Sequence, residues 1–205
     1  MSDVVRKSFE MKVSGLELRI EALGEFVPKE RLKIDQEFFE KMCKEGCPNY
    51  RKHYGCPPGS PGFDEYTEGA KHFLVLMFCA QPKGKSPAKF DEIEKAAYPE
   101  IDKILRRLEE ISGTKHVAAR ACKLCVPCRK EKNLSCPHPG QRRNCTVSLG
   151  IDCQDIADNI FHKPLVWQKG EKLEKYTSFI CLVPMRDLGN KDKIINELKN
   201  SSGVL

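Results

Sequence analysis

His72-Phe-Leu-Val-Leu-Met-Phe-Cys79 is the stretch that decides the fold. Almost every residue in it is apolar, and its length suits a strand buried on both faces. The apolar run from Phe73 to Ala80 is far short of the ~18 residues that a membrane span needs. Downstream, Pro87 to Ser112 carries Phe90, Ile93, Ala97, Ile101, Ile104, Leu105, Leu108 and Ile111 at helical spacing. That spacing predicts a long helix, kinked or broken near Pro99. Lys115 to Ala121 reads as a second strand, and Asp152 to Phe161 as a helix opened by an acidic residue. Tyr176 to Val183 reads as a third strand stopped by Pro184, and Lys191 to Asn200 as a short amphipathic helix.

Upstream, residues 1–34 read as an extended lead-in, with a short strand at Leu16–Ile20 and a break at Pro28. Asp35 can cap a helix that shows Phe38, Phe39 and Met42 on one face and delivers Cys43 at its end. The expected class is α+β: a small sheet with helices packed on one face and cysteine-rich, metal-binding loops at its margin. One domain is expected over 1–205. Its parts are the lead-in, a first cysteine group at 35–62, strand–helix–strand at 72–121, a second cysteine group at 122–153, and helix–strand–helix at 154–205.

A chain of 205 residues buries enough surface, roughly 70% of what unfolding exposes, to fold without cross-links. It nevertheless has 11 cysteines, an odd number and clustered. The first ten residues hold no apolar core of signal-peptide length, so the expected compartment is the cytoplasm, where thiols bind metal rather than pair. The net charge of +6 comes from basic residues interleaved with acids. Lys103 to Glu110 reads as a solvated helix face, and nucleic acid is not the expected partner. The densest basic residues, Arg129 to Lys132 with Arg142 and Arg143, sit inside the cysteine region. There they can offset an anionic metal group, since four thiolates on a 2+ cubane leave a charge of roughly −2.

Cys122-Lys-Leu-Cys125-Val-Pro-Cys128, followed by Cys136-Pro137, is the strongest motif. Two-residue steps let three thiolates converge from one turn, and a fourth arrives from a short loop before proline. That is the ligand grammar of a [4Fe–4S] cubane. Zinc prefers two separated C-x2-C pairs and is the alternative metal. The second group is Cys43, Cys47 and Cys56, in a glycine- and proline-rich loop from Gly46 to Gly62 that needs metal to order it. Its fourth ligand stays open: Cys79, Cys145, His53, water or a substrate. A crossed alternative exchanges Cys56 and Cys136 between two clusters, as in two-cluster ferredoxins.

Cys79 and Cys181 fall in apolar strands and read as core residues. Cys145 and Cys153 read as non-ligands. His53 and His138 lie beside cysteines, whereas His72, His116 and His162 read as surface residues of strands or helices. No phosphate loop, G-x-S-x-G or paired helical histidines occur. Radical chemistry on S-adenosylmethionine is not indicated, because eight residues separate Cys47 from Cys56.

Four features together resemble one family: Cys47-Pro-Asn-Tyr50 with Cys56-Pro-Pro58, the Cys122–Cys128 triplet, Cys136-Pro-His-Pro139, and Gly150-Ile-Asp152. The chain resembles the cysteine-rich predicted metal-binding proteins of anaerobic archaea and bacteria, a domain of unknown function. The resemblance implies metal, an iron–sulfur group and an anaerobic host, but no reaction. It also implies packing roles for Cys145 and Cys153, which the family pattern does not usually carry.

The expected function is an iron–sulfur redox protein that exchanges electrons with a larger protein partner. The alternatives are an enzyme with an open iron at Cys43, Cys47 and Cys56, and a structural zinc module for protein interaction.

Overall fold

The computed structural model describes residues 4–13, 15–83, 89–166 and 175–200. Its centre is the strand β3 (His72–Pro82), which pairs antiparallel with β2 (Leu16–Pro28) on one side and β4 (Thr177–Met185) on the other. An outer strand, β1 (Val5–Val13), pairs antiparallel with β2, giving the order β1-β2-β3-β4. Along β3, Leu74, Leu76, Phe78 and Ala80 face one side of the sheet, and Phe73, Val75, Met77 and Cys79 face the other. All eight are buried, which is what an unbroken apolar strand requires.

On the first face pack α3 (Phe90–Ser112), through Ile93, Ala97, Ile101, Leu105 and Leu108, and α5 (Lys191–Asn200), through Ile194 and Leu198. Each such leucine or isoleucine, fully buried, contributes about 1.5–3 kcal/mol from the water it leaves. The second face is covered by less regular chain: Phe63 of α2 (Phe63–Tyr66), Leu149, Ile151, and Ile156 and Ile160 beyond the short α4 (Cys153–Asp155). The fold is α+β. Among the described residues, no helix is long and apolar enough to cross a membrane.

Several expectations change. The lead-in forms two of the four strands, because the mixed, half-exposed face of β1 hides its pairing with β2. Helix α3 runs unbroken through Pro99, and the expected start at 87 falls outside the described residues. Residues 115–121 are not a strand. They make only isolated bridges, Val117 to Leu182 and Ala118 to Cys145. Pro184 does not stop β4, which runs to Met185 at the sheet edge, where a missing N–H costs no ladder bond. The helix expected at 152–161 begins at Cys153, with Asp152 accepting from the N–H groups of Gln154 and Asp155, and continues as a π turn at Ile156–Ile160.

Helix α1 (Gln36–Gly46) begins as expected, with the Asp35 carboxylate accepting from the Phe38 N–H at 3.0 Å. Its entry is fastened to the 150–152 segment. The Asp35 N–H donates to the Gly150 carbonyl at 2.8 Å, the Asp152 N–H to the Lys33 carbonyl at 3.0 Å, and Ile34 bridges Ile151. Gly150 sits at φ +80°, and a Cβ there would lie 2.6 Å from the Gln36 backbone. Gly150→Ala is therefore expected to cost more than about 1 kcal/mol in urea unfolding, from the left-handed backbone alone. A variant as stable as the wild type contradicts this seating.

Candidate metal centre

Two loops deliver the second cysteine group. Residues 121–128 form neither helix nor strand. After Cys128 the chain makes a tight turn (Arg129–Lys132), closed by Asn133 at φ +54°, and then runs to Cys136. Cys122, Cys125, Cys128 and Cys136 line one small cavity of about 20 Å³, with Tyr54, His138, Arg129 and Arg142 at its edges. The four residues with cluster grammar in the sequence thus meet in space.

Tyr54 ties this loop to the first cysteine group. Its hydroxyl donates to the Leu134 carbonyl at 2.7 Å, and the Lys130 and Arg142 cations stand 5.6 and 5.7 Å from its ring centre. Lys130 also donates to the His53 carbonyl. The His53 ring reaches the Cys122 carbonyl, while its Nδ1 is buried without a partner. Burial holds this imidazole below its ordinary value.

The first group is built by α1 and the loop after it. Cys43 lies in the last turn of α1, and Cys47 caps it through an N–H bond to the Cys43 carbonyl. Cys43 and Cys56 are buried, and Cys47 is half-buried. The Cys43 and Cys47 thiols hydrogen-bond to one another, which drives Cys43 up and pulls Cys47 down to about 6. The Asn49 and Tyr50 N–H groups and the Lys52 charge help Cys47 against the cost of burial. Burial, and then the charges of Cys145 and Cys47, push Cys56 up to about 12. Two of the three thiols, Cys43 and Cys56, thus resist ionisation beside their neighbours, an electrostatic condition that a bound cation relieves.

Cys145, read from sequence as a packing residue, stands within this group's electrostatic reach. Cys153 does not join it directly: its sulfur donates to the Thr146 hydroxyl at 3.2 Å, and burial raises it to about 11. Cys79 and Cys181 are buried in opposite faces of the sheet, as their strand positions predict. As the side chains stand, no three His, Cys, Asp or Glu groups among the described residues are arranged to hold a single metal ion.

The family model described as a predicted metal-binding protein, domain of unknown function 2284, matches residues 25–183. The chain belongs to that family. No curated protein and no solved structure matches it.

In this predicted metal-binding protein, sequence reasoning missed what anchors the cysteine segments. His116, expected at the surface, is fully buried. Its ring nitrogens stand 2.9 Å from Glu109 and 3.3 Å from Asp102. Glu109 also accepts both arms of Arg143, and the Tyr66 hydroxyl donates to the His116 carbonyl at 2.8 Å. Asp102 and Glu109 are therefore not the solvated charges that Lys103 to Glu110 suggested, and Arg143 is committed to Glu109 rather than to a metal group. The only sequence signal was a lone histidine in an apolar run, which does not disclose partners at 102, 109 and 143.

Burial works to raise Glu109, but His116 and Arg143 outweigh it and hold the carboxyl at about 2. A depressed carboxylate contributes stability above its unfolded value and loses it as pH falls toward its folded value. Wild-type stability should therefore decline between about pH 4.5 and 2 through this group. Glu109→Gln, which strands Arg143, is expected to lose about 3 kcal/mol at neutral pH and to flatten that acid step. Urea unfolding across the pH range checks both, and an unchanged acid limb contradicts the assignment.

Proposed function

We propose that this chain is an iron–sulfur protein that carries electrons to or from a larger protein in an oxygen-poor cytoplasm, as a single metal-binding domain. The supporting observation is the convergence of Cys122, Cys125, Cys128 and Cys136 on one cavity. The donor set fits the group. All four donors are thiols, the spacing is that of a cubane, and a ring of thiols around a shared space suits a core that gives each its own iron. A zinc ion would draw all four to about 2.3 Å from a single centre. The free space is close to that of one water, so loading spreads the ring, and residues 121–128 have no backbone ladder to resist this. A bound [4Fe–4S] group supplies one-electron exchange.

The surrounding residues support such a role. Arg129 and Arg142 border the cavity and offset the roughly −2 charge of a thiolate-bound cubane. Leu124 and Pro137 line it with apolar surface, which limits water and raises the weight of nearby charges. At the tip of the loop, Val126 is 86% exposed, beside exposed Leu124 and Lys123. An apolar tip in a basic surround suits an acidic protein partner, docked where the metal lies close to the surface.

Cys125→Ser is expected to lose this group, with bound iron falling by about four per chain and sulfide with it. The domain should also unfold more easily, because ligation and folding are coupled. Unchanged iron in that variant, or loaded wild-type protein that low-potential donors cannot reduce, contradicts the proposal.

A further inference from the structure

The cysteine next after Cys136 in sequence is carried by the fold to the other thiol set. Three contacts place it. Gly55 lies directly on the Arg143–Asn144 backbone, so close that a Cβ there would stand 2.7 Å from the Arg143 carbonyl oxygen. The buried Asn144 side chain donates to the Gly55 carbonyl at 3.1 Å. Cys56 and Cys145 each follow this contact by one residue. On the far side, α1, which carries Cys43, packs against the turn Val147–Leu149 that follows Cys145. The backbone of Cys145 is itself fixed: Ala118 donates to the Asn144 carbonyl and accepts from the Thr146 N–H, at 2.8 and 2.9 Å, and the Ser148 hydroxyl donates to the Cys145 carbonyl.

The geometry points to Cys145 as the fourth ligand of a second four-thiolate site, with Cys43, Cys47 and Cys56. The other candidates lie elsewhere. Cys79 is held in the sheet face near Lys163 and Glu21. His53 is tied to the other loop, its carbonyl accepting from the Lys130 ammonium at 3.2 Å. The assignment rests on the iron–sulfur reading above for the identity of the metal, and it closes the site against an open, substrate-binding iron. It also puts two metal groups in one chain. Gly55, next to Cys56, lines the cavity formed by Cys122, Cys125, Cys128 and Cys136, so the two sets adjoin as a pair of clusters passing electrons requires.

Iron, sulfide and zinc are measured on oxygen-free wild type, Cys145→Ser, Cys153→Ser and His53→Gln, each reconstituted with iron and sulfide. Cys145→Ser is expected to hold about half the wild-type iron, with Cys153→Ser and His53→Gln at the wild-type level. Iron equal to wild type in Cys145→Ser overturns the assignment, as does loss in His53→Gln with Cys145→Ser unaffected. A measurement on the wild type does not depend on the variant folding. An open iron on a three-thiolate cubane takes up added cyanide or small thiol and gives a new paramagnetic signal in the reduced protein, whereas a fully thiolate-ligated group has no vacant position and does not give it. No such signal is expected, and its appearance overturns the assignment. A chain that binds zinc and no iron sinks the iron–sulfur reading instead. The same variants, read for zinc, then decide whether Cys145 is a ligand.

Discussion

The helix and loop that carry the first cysteine group lean on one short backbone segment, residues 143–152. Arg143 ties it to Glu109 on α3, and through Glu109 to the buried His116. Asn144 seats the loop of Cys56, the residues around Cys145 bridge Ala118, Gly150 receives the start of α1, and Asp152 is held by Lys33. Two of these contacts need glycine, at 55 and 150, because backbone meets backbone with no room for a Cβ. The sheet supplies the mass of the fold, but this segment seats the loop and helix of the first cysteine group.

The arrangement explains how loops without regular structure can present a defined site. Residues 46–62 and 121–128 contain no helix or strand apart from the end of α1. Ordering a residue costs about 1–2 kcal/mol, and these segments recover little of that through backbone ladders. What they have instead are point attachments: Tyr54 to Leu134, Lys130 to the His53 carbonyl, and Asn144 to Gly55. In the proposed metal-bound state, ligation would supply the remaining free energy, and the bound charge would relieve the cost of ionising Cys43, Cys47 and Cys56 together.

Much of this was legible in the sequence. The apolar run in β3, the helical spacing in α3 and the Asp35 cap are local signals, and they hold where they were read. The C-x2-C-x2-C step is local too, and Cys136 joins it because only a short turn intervenes. What was hidden depends on contacts distant in sequence. The strand β1 mixes charged Arg6, Lys7, Glu10 and Lys12 with its apolar positions, so its place in the sheet is visible only beside β2. His116 finds its carboxylates 14 and 7 residues earlier and Arg143 beyond them, a network with no fixed spacing. Cys145 follows Cys136 in the chain but is handed to the other set by the Gly55–Asn144 contact, which no one-dimensional pattern records.

The proposal of a metal-dependent electron carrier rests on the thiol sets, their basic surround and an apolar loop tip. Its central element is the four-thiol ring at Cys122, Cys125, Cys128 and Cys136. The most direct measurement is anomalous X-ray scattering at the iron and zinc edges from crystals of protein prepared without oxygen. The account predicts strong iron-edge density inside that ring, of polynuclear shape and with no zinc-edge counterpart. A single zinc peak there, or no metal among those four sulfurs, contradicts it.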